Sequence, residues 1–143
     1  MNEEDVDKKM KTIMLERIES ALKESGFTDG KPNFDSWIGE DEIDYFLVND
    51  NKKHPVRGFV VEAAAISGSF IYTFSFVGGD FTYGTLTLKS VRSVTASMSK
   101  DGPVVLRLVT DSGMAFQMQL LIEKWSEVIE FKNKLEKLMK NVG

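Results

Sequence analysis

The stretch PVVLRLVTDSGMAFQMQLLI, residues 103–122, decides the fold class, because its apolar residues recur at every second position. In an extended chain, Leu106 and Leu108 fall on one face and Arg107 falls on the other. After a turn at 111–113, the same alternation places three apolar residues on one face: Phe116, Met118 and Leu120. Asp and Gly in so short a connection are typical of a hairpin, so this stretch predicts two antiparallel strands.

The same two-residue period extends backwards to Ile43 and predicts about seven strands separated by turn residues. Phe70, Tyr72, Phe74 and Phe76 share one face of the third strand, and we expect Phe74 and Leu106 to lie in the interior. The predicted strands are Ile43–Asn49, Arg57–Ile66, Ser69–Val77, Phe81–Leu88, Val91–Ser99, Pro103–Thr110 and Met114–Ile122. Their short connections favour antiparallel neighbours, and such a meander tends to close to hide its edges.

Helical periodicity flanks the strands on both sides. From Glu3 to Ser25, apolar residues recur three and four positions apart, so we expect the Met10–Met14–Ile18 face to pack on the domain or on a partner subunit. From Glu123 to Asn141, a second apolar stripe contains Trp125, which we expect to be buried. The chain is therefore predicted to be a single α+β domain, 1–143, with helices at 3–25 and 123–141 and strands across 43–122.

The connection between the first helix and the first strand is polar, with large apolar exceptions. Phe34 and the pair Trp37–Ile38 are interpreted as core plugs, and an exposed binding edge is the alternative. The acidic run Glu40–Glu42 and the nearby Asp44 could hold a hard cation. Their spacing does not match a calcium loop, so a solvated acidic surface is the preferred interpretation.

Composition excludes several classes of function. The chain has no cysteine, which rules out disulfides, thiolate nucleophiles and cysteine-ligated metal sites. The formal net charge of −4 argues against nucleic-acid binding and makes extensive contact with anionic membranes unfavourable. The charged N-terminal residues lack the apolar segment of a secretory signal, and no apolar run approaches the ~20 residues of a membrane span. We therefore expect a cytoplasmic protein.

Seven antiparallel strands followed by one amphipathic helix resemble the pleckstrin-homology-like (PH-like) barrel. The stretch LKSVRSV, residues 88–94, is similar to the family's entry into its second sheet. The stretch WSEVI, residues 125–129, is similar to the start of its last helix. The resemblance covers Ile43 to Asn141 and implies a small barrel plugged by the C-terminal helix, with the N-terminal helix as an addition.

The resemblance also implies where a ligand would bind. Phosphoinositide-binding members carry a lysine late in the first strand and a Lys/Arg-x-Arg run in the second. Here the first strand ends Leu47-Val-Asn-Asp50 and the second begins Arg57-Gly-Phe59, so that pattern is not met.

The intervening loop is nevertheless basic, and it supplies the candidate binding residues: Lys52, Lys53, His54 and Arg57. An anion or an acidic partner would suit these charges, and an ordinary solvated turn is the alternative interpretation. His54 is the only histidine, so it cannot build a multi-histidine metal site. No G-x-S-x-G turn presents a nucleophilic serine. We expect no catalysis, no cofactor and no metal.

These observations predict a non-catalytic binding or adapter domain of PH-like type that recognises a protein partner or an anionic ligand. A second hypothesis is a small acidic chaperone-like homodimer, because a helix followed by a sheet loosely resembles secretion-chaperone and YbjN-like domains. A third is peripheral binding to anionic lipid through Lys52 and Lys53, which the net charge disfavours.

Overall fold

The computed structural model describes residues 3–24, 37–39, 41–49, 60–77, 80–100 and 103–142. Within them lie two long helices and seven strands. The helices are α1 (Glu3–Glu24) and α2 (Trp125–Val142). The strands are β1 (Tyr45–Asn49), β2 (Val60–Ser67), β3 (Phe70–Val77), β4 (Asp80–Thr87), β5 (Val91–Met98), β6 (Val104–Thr110) and β7 (Ala115–Leu120). Short 3₁₀ turns at Leu88–Ser90 and Ile122–Lys124 precede β5 and α2.

The strands form two antiparallel sheets, one with the order β1-β2-β3-β4 and one with the order β5-β6-β7. The chain divides into two compact units, Met1–Thr85 and Leu86–Gly143. The predicted α+β class, the seven strands and both helices are confirmed. The closed barrel, its plugging by the C-terminal helix and the single domain stay predictions.

The first unit is built on β2, whose eight residues are all buried. Both faces of β2 are therefore buried, which explains why its sequence VVEAAAIS does not alternate between apolar and polar residues. α1 lies against β1 and β2 and buries Met14, Ile18 and Leu22. The expected docking face of this helix therefore packs on its own sheet, although Met10 is only half-buried.

In the second unit, α2 packs against β5 and β6. Its buried residues are Val128, Phe131 and Leu135. The sheet contributes the alternating apolar face that the sequence predicts, with Leu106, Leu108, Met118 and Leu120 almost fully buried. Both expected interior residues, Phe74 and Leu106, are 0% exposed. Trp125 is only half-buried, so the expectation that it is buried in the core is wrong.

Candidate functional site

The basic loop predicted as a binding site is Lys52, Lys53, His54 and Arg57, and all four residues lie outside the described part of the chain. The structure places only the ends of the flanking strands, Asn49 of β1 and Val60 of β2. A ligand role for this loop stays a prediction.

A buried polar pair that the sequence analysis missed lies beside the end of β1. Asn49 and Glu62 are directly opposite each other in the β1–β2 ladder, and each is only 4% exposed. Asn49 Nδ2 donates to Glu62 Oε1 at 3.1 Å. A carboxyl group is costly to bury unless it is hydrogen-bonded, so this contact offsets part of that cost. Its one sequence signal is a glutamate inside an otherwise apolar run.

An aromatic cluster occupies the α1-covered core of the first unit. The ring centroid of Trp37 lies 5.6 Å from that of Phe74, 6.0 Å from that of Tyr83 and 6.3 Å from that of Tyr72. Trp37 Nε1 also donates to the carbonyl oxygen of Gly84 on β4 at 3.3 Å. Trp37 is 6% exposed, which confirms the interpretation of this residue as a core plug rather than a binding edge.

Gly84 allows β4 to approach β3 closely in this region. A Cβ atom at that position would lie 2.4 Å from the side-chain oxygen of Thr73, well inside van der Waals contact. The need for glycine therefore arises from packing between the strands.

The described part of the acidic run ties the segment before β1 to the first sheet. Tyr72 donates its hydroxyl hydrogen to Asp41 Oδ2, and the backbone N–H of Gly68 donates to Asp44 Oδ2 at 2.9 Å. Burial raises the pKa of Tyr72 from 10.0 to about 12, and the hydrogen bond and charge of Asp41 act in the same direction. Within the described ranges, no three acidic, histidine or cysteine side chains are grouped to hold a metal ion.

The second unit exposes large apolar side chains at one end of its sheet. Met98 pairs with Val104, and Val104 pairs with Leu120, so the end of β5 and the end of β7 lie in one row. Leu121 and Ile122 follow directly. Their exposed fractions are 46% for Met98, 43% for Leu121 and 53% for Ile122. We call these three residues the end patch.

Two further apolar side chains follow Ile122 along α2. Trp125 and Ile129, both half-buried, stand three and seven residues after Ile122 and so fall on one side of the helical path. They line an open groove of about 580 Å³ together with Ser126, Glu130, Asn133 and Lys134. Apolar groups beside charges of both signs suit an amphipathic protein segment better than a purely anionic ligand.

Comparisons with known proteins identified no relative of this chain. No protein-family model, curated protein or solved structure matches it. Among the described helices, none is both long and apolar enough to cross a membrane.

Proposed function

We propose that this chain is a non-catalytic binding domain of PH-like type that recognises a protein partner. The order of elements supports the fold part of the proposal: a four-stranded sheet, a three-stranded sheet and then an amphipathic helix. In this proposal the two sheets form the small barrel and α2 plugs it. A fold hosts many functions, so the binding role must rest on a particular surface.

The end patch is the observation that carries the binding role. Three large apolar side chains lie at one sheet end, each more than two-fifths exposed, and each gains free energy when a partner removes it from water. Trp125 and Ile129 add apolar area in an open groove along α2. Glu130 and Lys134 add charges beside it, which is the usual arrangement of an apolar centre and a polar rim.

Fewer observations support the other two hypotheses from the sequence, a chaperone-like dimer and the binding of an anionic ligand or lipid. α1 buries Met14, Ile18 and Leu22 on its own sheet, so a chaperone-like dimer would have to form through an edge strand. Binding of an anionic ligand or lipid at the loop that the sequence predicts would depend on Lys52 and Lys53, which the structure does not describe.

Ile122→Glu tests the proposal, with Met114→Glu as its matched control. Both residues are exposed and apolar, and they flank opposite ends of β7. A photo-reactive amino acid at Leu121 would first cross-link the partner in extract of the source cells. We expect Ile122→Glu to abolish this cross-link, because an inserted carboxylate resists transfer out of water. Met114→Glu should retain it.

Thermal unfolding of both variants checks that neither change has damaged the fold. A cross-link that survives Ile122→Glu, or that both variants lose equally, would remove the end patch as the binding surface. Failure to cross-link any protein from Leu121 would contradict the proposed function itself.

A further inference from the structure

The outward face of the second sheet carries a row of polar side chains across all three strands. Thr95 on β5 lies opposite Arg107 on β6, and Arg107 lies opposite Gln117 on β7. All three are exposed, whereas the alternate residues Val94, Leu106 and Met118 are buried. We call this surface the Arg107 face. It is distinct from the end patch, which lies at the sheet's end.

Within the part of the chain that the structure describes, Arg107 is a cation without a counter-charge. It forms no hydrogen bond or ion pair with any residue in the described ranges. Its cross-strand neighbours are uncharged, and nearby positions on the same face hold the small residues Ser93, Ser97 and Ala115 as well as the half-buried Val105 and Val109. Arg107 is itself exposed, so a ligand could meet its planar guanidinium with two parallel hydrogen bonds.

The distribution of charge along the chain favours an anionic ligand at this unit. Residues 86–143 contain nine Lys or Arg and six Asp or Glu, a net charge of +3. Residues 1–85 contain nine and sixteen, a net charge of −7. The overall acidity of the protein therefore comes from the first unit, and it conceals a basic second unit that attracts negative charge.

We propose that the Arg107 face binds an extended acidic segment of a partner protein, with Arg107 receiving a carboxylate. The Thr95 hydroxyl and the Gln117 amide supply neutral donors beside the guanidinium. The exposed residues of the row include no aromatic ring. Proteins that bind single-stranded nucleic acids use such rings to stack the bases, so this surface favours a peptide. This surface goes beyond the proposed function, and it gives an adapter a second contact.

Fluorescence anisotropy tests the inference with a labelled peptide of alternating Glu and Thr. A peptide with Gln in place of every Glu is the control ligand. We expect the acidic peptide to bind the full chain and the control peptide not to bind. Affinity should fall as NaCl rises from about 50 mM to about 500 mM, because salt screens exposed charges.

Arg107→Gln should weaken binding of the acidic peptide about tenfold or more, the range expected for losing a charge-assisted contact. Arg107→Lys should restore only part of this loss, since an ammonium group cannot bind a carboxylate with a planar fork. Lys137→Gln is the matched control: it removes one exposed positive charge from α2 and should leave binding unchanged.

Four results would overturn the inference. The first is that the acidic peptide does not bind at protein concentrations up to about 1 mM, and the second is that Arg107→Gln and Lys137→Gln weaken its binding equally. The third is that single-stranded DNA binds as tightly as the peptide and also depends on Arg107. The fourth is that the protein self-associates in sedimentation in a way that depends on Arg107. Ile122→Glu should leave binding of the peptide intact, so failure here and failure of the proposed function are separable.

Discussion

Tyr72 links the third strand to the segment before β1, because its hydroxyl donates to the Asp41 carboxylate. Its pKa is raised from 10.0 to about 12, so it releases its proton at higher pH in the folded state than in the unfolded state. The associated stability is fully present below about pH 10 and is lost as pH rises to about 12. We expect Tyr72→Phe to reduce this alkaline loss, which urea unfolding measured from neutral to alkaline pH would show.

Tyr45→Phe is the matched control for Tyr72→Phe, since it removes a hydroxyl from an exposed tyrosine and leaves Tyr72 intact. At neutral pH, Tyr72→Phe should also lower the free energy of unfolding by about 1–3 kcal/mol through the lost hydrogen bond. If both variants lost stability in the same alkaline range as the parent, Tyr72 would not be responsible for the effect.

Single residues also show where sequence reasoning stops. Trp37 was predictable as a core plug because a large apolar side chain in a polar connection needs cover. The Asn49–Glu62 pair was not, because a strand register is needed to place the two residues opposite each other. The exposure of Ile122 was missed because the alternating pattern was extended past the end of β7 at Leu120.

Among the elements, the bounds of strands with one solvent-exposed face were the most predictable. The seventh predicted strand contains all of β7, and the sixth matches β6 with one extra residue at its start, because their side chains alternate between core and water. The described part of β2 begins at Val60, so the predicted start at Arg57 lies outside the described residues, and burial on both faces removes the alternation that would mark the bounds of this strand. The sequence predicted that Arg107 points outward. Its neighbours Thr95 and Gln117 could be identified only from the pairing of β5, β6 and β7.

For α2, periodicity predicted a helix but not which apolar positions face the core. Phe131 is 3% exposed, whereas Trp125 lines an open groove. We therefore expect Phe131→Ala to cost about 3–5 kcal/mol of unfolding free energy, as a core aromatic does, and Trp125→Ala to cost clearly less. Urea denaturation followed by far-ultraviolet circular dichroism compares the two. Equal costs would show that Trp125 is part of the core after all.

α1 offers a similar comparison between two isoleucines on one helix. Ile18 is 0% exposed and lies in the cluster with β1, β2 and β3, while Ile13 is 40% exposed. Ile18→Ala should cost about 2–5 kcal/mol through lost apolar contacts and a residual cavity. Ile13→Ala should cost under about 1 kcal/mol, because most of its removed surface is partly hydrated already. Comparable losses from urea denaturation would mean that α1 does not stabilise the fold through this face.

At the level of the whole molecule, each compact unit contains one of the two tryptophans. Trp37 is buried among aromatic rings in the first unit, and Trp125 begins α2 in the second. The boundary between Thr85 and Leu86 falls inside β4, so one continuous strand belongs to both units. Tryptophan fluorescence can therefore follow each unit separately.

The shared strand predicts that the two units unfold together, as small domains usually do. β4 pairs within the first sheet, and its last two residues, Leu86 and Thr87, belong to the second unit, so we expect the unfolding of one unit to disturb a strand of the other. Trp125→Phe leaves Trp37 as the fluorescent probe of the first unit, and Trp37→Phe leaves Trp125 as the probe of the second. In each variant, the fluorescence transition should coincide with the loss of circular dichroism in urea.

A fluorescence change from Trp125 that is complete while most circular dichroism remains would show that the units unfold independently. The single-domain prediction would then be wrong.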